Sequence, residues 1–150
     1  MGTFGPNVFD DDSACEALDS LPEEVIEKFT QSFRTVLEKD YIEYEEGQAV
    51  LAYSMVVLGL IDDQNIGKRK DKQLDPFYKE RLLTVVNKNK DFWSSSDQTA
   101  VVGDCVKCLV KLKRPEVSEV SELWHEGGSP EEWVALVDGI INDLSQFFTK

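Results

Sequence analysis

Two cysteines three positions apart, Cys105 and Cys108, are the residues of this chain best spaced for chemistry. A Cys-x-x-Cys pair can cycle between dithiol and disulfide when its first thiol lies exposed at a helix N-terminus behind a strand. It can also hold zinc, given two further ligands at matching spacing. Here the pair falls in the middle of a helical repeat, and Cys15 and His125 are the remaining cysteine and histidine. The pair therefore reads as helix packing. To work as a general acid or base, His125 needs a carboxylate facing it across a cleft. Glu122 and Glu126 are close to it in sequence, but an imidazole at a helix C-terminus is accounted for by the helix dipole alone. Asp10-Asp11-Asp12 could gather a divalent cation. The alternating acids, central glycine and terminal glutamate of a calcium loop are missing, so the run reads as an acidic helix cap. The basic cluster Lys68-Arg69-Lys70-Asp71-Lys72 has no interleaved aromatics and reads as a solvated loop rather than a nucleic-acid groove. Trp93, Trp124 and Trp133 read as core and edge packing. There is no glycine-rich phosphate loop, nucleophile elbow or His-Glu-x-x-His pattern.

The chain that must position these residues has 150 positions, 29 acids against 16 bases, a formal charge of −13 and a pI near 4.4. That length suits one domain with a sizeable core. A negative field of this size repels nucleic acid and anionic lipid and attracts basic partners. The field is uneven: residues 1–50 hold thirteen acids and three bases, while residues 51–100 hold seven acids and eight bases. Three cysteines do not make a disulfide scaffold. The N-terminus shows no basic and apolar leader pattern, and Pro6 stands where myristoylation favours Ser or Thr. The apolar run Ala49 to Ile61 is too short to span a bilayer. The expectation is a cytoplasmic protein with no membrane and no nucleic-acid partner.

Helical periodicity dominates, and about six or seven helices are expected. The first runs from Asp12 or Ser13 to Ser20, behind a folded-back turn in which Phe4, Val8 and Phe9 pin residues 1–10 to the core. The second is capped by Ser20-Leu21-Pro22-Glu23 and carries the stripe Val25, Ile26, Phe29, Phe33, Val36 and Leu37. The third, Glu45 to Ile61, is apolar nearly all round and should be central. Residues 62–75 read as a mobile loop. Asp75-Pro76 caps a fourth helix to Asn89, with Phe77, Leu82, Val85 and Val86 inward. The fifth spans Asp97 to Lys113 and stops at Pro115. The sixth spans Glu116 to His125. Ser129-Pro130-Glu131-Glu132 reads as a capping box for the last, which should share the centre with the third.

Met1-Gly2-Thr3-Phe4-Gly5, with Phe9, Asp12 and Ala14 following, resembles the start of the mainly bacterial family catalogued as domain of unknown function 4259. Members begin Met-Gly-x-Trp-Gly and continue Phe-x-x-Asp-x-Ala, so Phe4 stands where Trp is usual. Ser118-Glu119-Val120-Ser121-Glu122-Leu123-Trp124 resembles the family's later Ser-Glu-Leu-x-x-Leu-Trp. The resemblance spans nearly the whole chain in order, and no catalytic residues come with it.

The sequence thus predicts a single compact all-α domain, with no cofactor and no metal site. Its first functional reading is a non-enzymatic protein-interaction module, of immunity or inhibitor type, whose acidic face covers a basic protein partner. The alternative is a small enzyme or ligand-binding protein. Its site would lie where the two signature segments meet, around Phe4, Asp12, Glu122, Trp124 and His125. A structural clasp would bring the same segments together, and only geometry separates clasp from site.

Overall fold

The computed structural model describes residues 7–67 and 76–149. It is helical throughout, with no strand among the described residues. After a 3-10 turn at Val8–Asp10, the helices are α1 (Asp12–Asp19), α2 (Ile26–Glu38), α3 (Tyr44–Ile61), α4 (Gln64–Gly67), α5 (Pro76–Ser95), α6 (Gln98–Leu112), α7 (Glu119–Glu126) and α8 (Glu131–Ser145). A second 3-10 turn follows at Gln146–Thr149.

The centre is α3, buried at every position from Val50 to Leu60. An apolar helix of this kind lowers its free energy only when neighbours cover all its sides. α1 and α5 pack on α3, α2 lies on α6, and α6 also meets α8. Two glycines let these neighbours approach. A Cβ at Gly59 would fall 2.6 Å from Val86 Cγ2 and 2.7 Å from Ile66 Cδ1. At Gly47 it would fall 2.8 Å from Leu112 Cδ1 and 2.9 Å from Val120 Cγ2. The last helix does not share the centre. α8 buries Trp133, Leu136, Val137, Ile140 and Leu144 on one side and exposes Glu131, Glu132, Ala135 and Asn142 on the other. Its stripe fades in the closing turn, where Phe148 is exposed.

Several elements depart from the sequence reading. α2 starts at Ile26 and not at Pro22, while Ser20 ends α1 by returning its N–H to Glu16 and Leu18. The cause is distant in sequence: the buried Asn89 of α5 accepts from the Val25 N–H at 3.0 Å and donates to the Glu23 carbonyl at 2.9 Å. This ties residues 23–25 to α5 just ahead of the first turn of α2. α5 itself runs past Asn89 to Ser95, because the buried stripe of Leu82, Val85, Val86 and Asn89 continues to Trp93. Phe77 is not inward but mostly exposed. Tyr78 is the residue packed on the core there, its ring stacked on Phe9 at 5.5 Å. Within the expected loop 62–75, residues 64–67 form α4, held by Asn65 Nδ2 donating to the Leu58 carbonyl at 2.9 Å. The basic cluster Lys68–Lys72 lies outside the described residues, as do residues 1–6 of the N-terminal turn. α7 begins at Glu119, three positions later than expected. Before α8, Pro130 occupies the cap position in helical conformation, and no side chain caps the helix. Ser129 therefore stands one residue too early for its capping box.

Candidate functional site

The Ser118–Trp124 segment docks on the link between α2 and α3. Ser118 is fully buried in extended conformation and pairs in parallel with Ile42. The Ile42 N–H donates to the Val117 carbonyl at 2.8 Å, and the Glu119 N–H donates to the Ile42 carbonyl at 2.9 Å. Ser118 Oγ then accepts from the Ser121 N–H at 3.4 Å and starts α7. Glu119 Oε1 accepts from the Tyr44 N–H at 2.8 Å, supplying a partner to one of the first amides of α3. The Tyr44 hydroxyl donates to Asp11 Oδ2, and Asp11 Oδ1 accepts from the Ala14 N–H at 3.0 Å to cap α1. A chain of hydrogen bonds thus runs from the N-terminal segment through Tyr44 to the later one.

The link has a second anchor. Lys111 of α6 reaches across to the C-terminus of α2 and donates from Nζ to the carbonyls of Val36 at 2.9 Å, Leu37 at 3.4 Å and Lys39. An ammonium here adds a donor to carbonyls at and just past the end of α2 and meets the negative end of its dipole.

The five residues singled out by the sequence are dispersed around this junction. Phe4 lies outside the described residues. Asp12 is exposed in the first turn of α1 and makes no hydrogen bond or ion pair with Glu122, Trp124 or His125. Its neighbour Asp11 is the buried carboxylate, 2% exposed. Glu122 is exposed and accepts from the Tyr41 hydroxyl at 2.7 Å. Trp124 stacks on Trp133 at 6.4 Å with 11° between the rings, joining α7 to α8. His125 Nδ1 lies 2.8 Å from the Ser121 carbonyl, which assigns its proton to that nitrogen. The Ser121 hydroxyl donates at 2.5 Å to the Lys113 carbonyl, so it is not poised as a nucleophile for the imidazole. These contacts have the character of a clasp. A cavity of about 390 Å³ lies elsewhere, between α2 and α3, and none of Asp12, Glu122, Trp124 and His125 lines it.

The acidic run read as a helix cap supplies one in Asp11, which caps α1, whereas sequence reasoning missed Tyr41, Tyr44 and the part played by Glu119. Tyr41 and Tyr44 flank Ile42, a lone β-branched residue among acids, which signals a short extended segment before a helix.

Tyr41 carries the strongest electrostatic signature at the surface. Its phenol is pushed up to about 12, first by the hydrogen bond to Glu122, then by desolvation and by the charges of Glu122, Glu119 and Glu126. The Cys-x-x-Cys thiols face inward. Cys105 Sγ sits 3.3 Å from Ser54 Oγ, and Cys108 Sγ donates to the Phe33 carbonyl at 3.3 Å. Burial pushes both thiols up, Cys105 to about 12, so neither is a thiolate near neutrality. Cys15 is half-buried, and its thiol is also raised, chiefly by burial. Among the described residues, no three of the His, Cys, Asp and Glu side chains are placed to share a metal ion, and no helix is long and apolar enough to cross a membrane.

The architecture is that of a small all-α domain built round one apolar helix, its early and late segments joined by hydrogen bonds. The family model described as "Domain of unknown function (DUF4259)" matches residues 2–135, and the chain belongs to that family. No curated protein and no solved structure matches it.

Proposed function

We propose that this domain is a non-enzymatic interaction module that presents an acidic, tyrosine-centred face to a basic protein. The observation that carries the reading is the surrounding of Tyr41. This ring is 37% exposed, and the carboxylates of Glu119, Glu122 and Glu126 all act on its hydroxyl. Asp40 and Glu43, both exposed, flank it in the chain. An exposed tyrosine offers a large contact surface at low entropic cost, and carboxylates around it steer a cationic partner and set its orientation. The reading is also supported by how the signature polar groups are used. Ser118, Glu119 and Asp11 are spent on holding segments together, and the one histidine faces a backbone carbonyl. An immunity or inhibitor role, in which this face covers a basic toxin or nuclease, is the specific form proposed.

The test is affinity capture from native lysate at low and high salt, using the native chain beside a Tyr41→Ala/Glu122→Gln/Glu126→Gln variant. The expected result is a basic protein retained at low salt, released at high salt and lost by the variant. Recovery of no partner at either salt, or equal recovery by the variant, defeats the proposal.

A further inference from the structure

The cavity of about 390 Å³ is lined by residues of α2 and α3. Its register is fixed at both ends. Phe29 of α2 packs on Tyr53 of α3 with ring centroids 4.8 Å apart, and Lys39, just after α2, pairs with Glu46 near the start of α3. The two helices therefore run antiparallel, with Lys28 and Tyr53 at one end of the cavity and Glu45 and Glu46 at the other.

The polar lining is only partly used within the fold. Glu46 is engaged, pairing with Lys39 and accepting from the Glu43 N–H at 3.2 Å. Lys28, Ser32, Glu45 and Tyr53 make no side-chain hydrogen bond or ion pair among the described residues. Tyr53 is the telling one. It is 6% exposed and lines the cavity, and its hydroxyl has no partner among the described residues. Buried polar groups in native proteins are nearly always satisfied, and an exception next to a cavity points to a ligand or bound water. Burial raises the Tyr53 phenol, so it stays protonated and able to donate across the neutral range.

We propose that this groove binds a small zwitterion of short-peptide type. Its carboxylate is held by the Lys28 ammonium and the Tyr53 hydroxyl, its ammonium by Glu45, and its body lies along the apolar floor of Val36 and Val50. The spacing sets the length. Seven helical rises lead from Lys28 to Thr35, a span of about 10 Å, and an extended tripeptide reaches about 10 Å. The site is separate from the Tyr41 face and stands or falls without it.

The full chain, isotope-labelled, is titrated with trialanine and with N-acetyl-trialanine amide and followed by amide chemical shifts. The expected result is saturable shifts confined to α2 and α3, with a dissociation constant below about 10 mM for trialanine and no saturation by the capped form. Tyr53→Phe, which deletes only the oxygen, and Lys28→Met should each weaken binding by about tenfold. The proposal is overturned if trialanine gives no saturable shift, if the capped peptide binds equally, or if Tyr53→Phe binds as well as the native chain. Unchanged amide spectra of the free variants establish that they are folded.

Discussion

α3 meets its surroundings in two different ways along its length. At its N-terminus, the Tyr44 hydroxyl donates to Asp11 and the Tyr44 amide to Glu119, so three segments distant in sequence are tied at one residue. Nine positions on, Tyr53 is buried more deeply than Tyr44, yet its hydroxyl has no partner among the described residues and stands beside an open groove. The same residue type on the same helix serves as a structural link in one place and a free donor in the other. The contrast separates polar groups that the fold consumes from those it leaves available. By that measure the hydrogen-bonded polar groups of the signature segments serve the architecture, and the proposed sites lie on the Tyr41 face and in the α2–α3 groove.

The contrast breaks most visibly at Asp11. Asp11→Ala removes the cap of α1 and the carboxylate oxygen that accepts from the Tyr44 hydroxyl. The expected loss is about 3 kcal/mol of unfolding free energy, from a lost cap together with a lost charge-assisted hydrogen bond. Urea denaturation measures it, and a loss indistinguishable from zero would mean that the junction is ornamental. A smaller change separates the tyrosines directly. Tyr44→Phe should cost about 1.5 kcal/mol, because the buried Asp11 carboxylate loses a donor. Tyr53→Phe should leave stability within about 0.5 kcal/mol of the native chain or raise it, because no hydrogen bond is lost and an unsatisfied hydroxyl is removed. Equal costs at the two positions would erase the distinction.

What the sequence disclosed follows the same division between local and distant causes. α3 was legible because its apolar run is contiguous, and the start of α6 because Asp97 caps it within a few residues by accepting from the Ala100 N–H at 3.2 Å. The start of α2 was not legible, since it is set by Asn89, 64 positions from Val25. The choice between Phe77 and Tyr78 for the inward face turned on packing against Phe9, which no periodicity within α5 encodes. The candidate site fared likewise. The two signatures marked segments that are indeed linked, but the linking residue, Tyr44, lies outside both of them and 75 positions from Glu119. The groove escaped notice because its residues fall in different classes of the sequence reading: Lys28 and Gln31 on the polar side of α2, Val36 in its apolar stripe, and Val50 and Tyr53 on a helix that reads as apolar nearly all round.

The mildest perturbation concerns the surface tyrosine and tests whether the acidic face is a coherent electrostatic unit. Tyr41 holds its proton to about 12 because ionising it would place a phenolate against Glu122, with Glu119 and Glu126 close by. The unfolded chain releases that proton near 10, the ordinary tyrosine value. A folded-state pKa above the unfolded one means that the native chain binds the proton more tightly. The contribution to stability is therefore fully present below about pH 10 and is lost as the pH rises from there through about 12. Glu122→Gln removes the principal cause, so Tyr41 should titrate closer to its ordinary value, while the melting temperature at neutral pH stays unchanged because the pair is exposed. Tyrosinate absorbance followed through alkaline titration, with Tyr41→Phe identifying the signal, reads the shift. If Glu122→Gln leaves the midpoint where it was, the carboxylates do not act together on Tyr41, and the face proposed to receive a basic partner loses its centre.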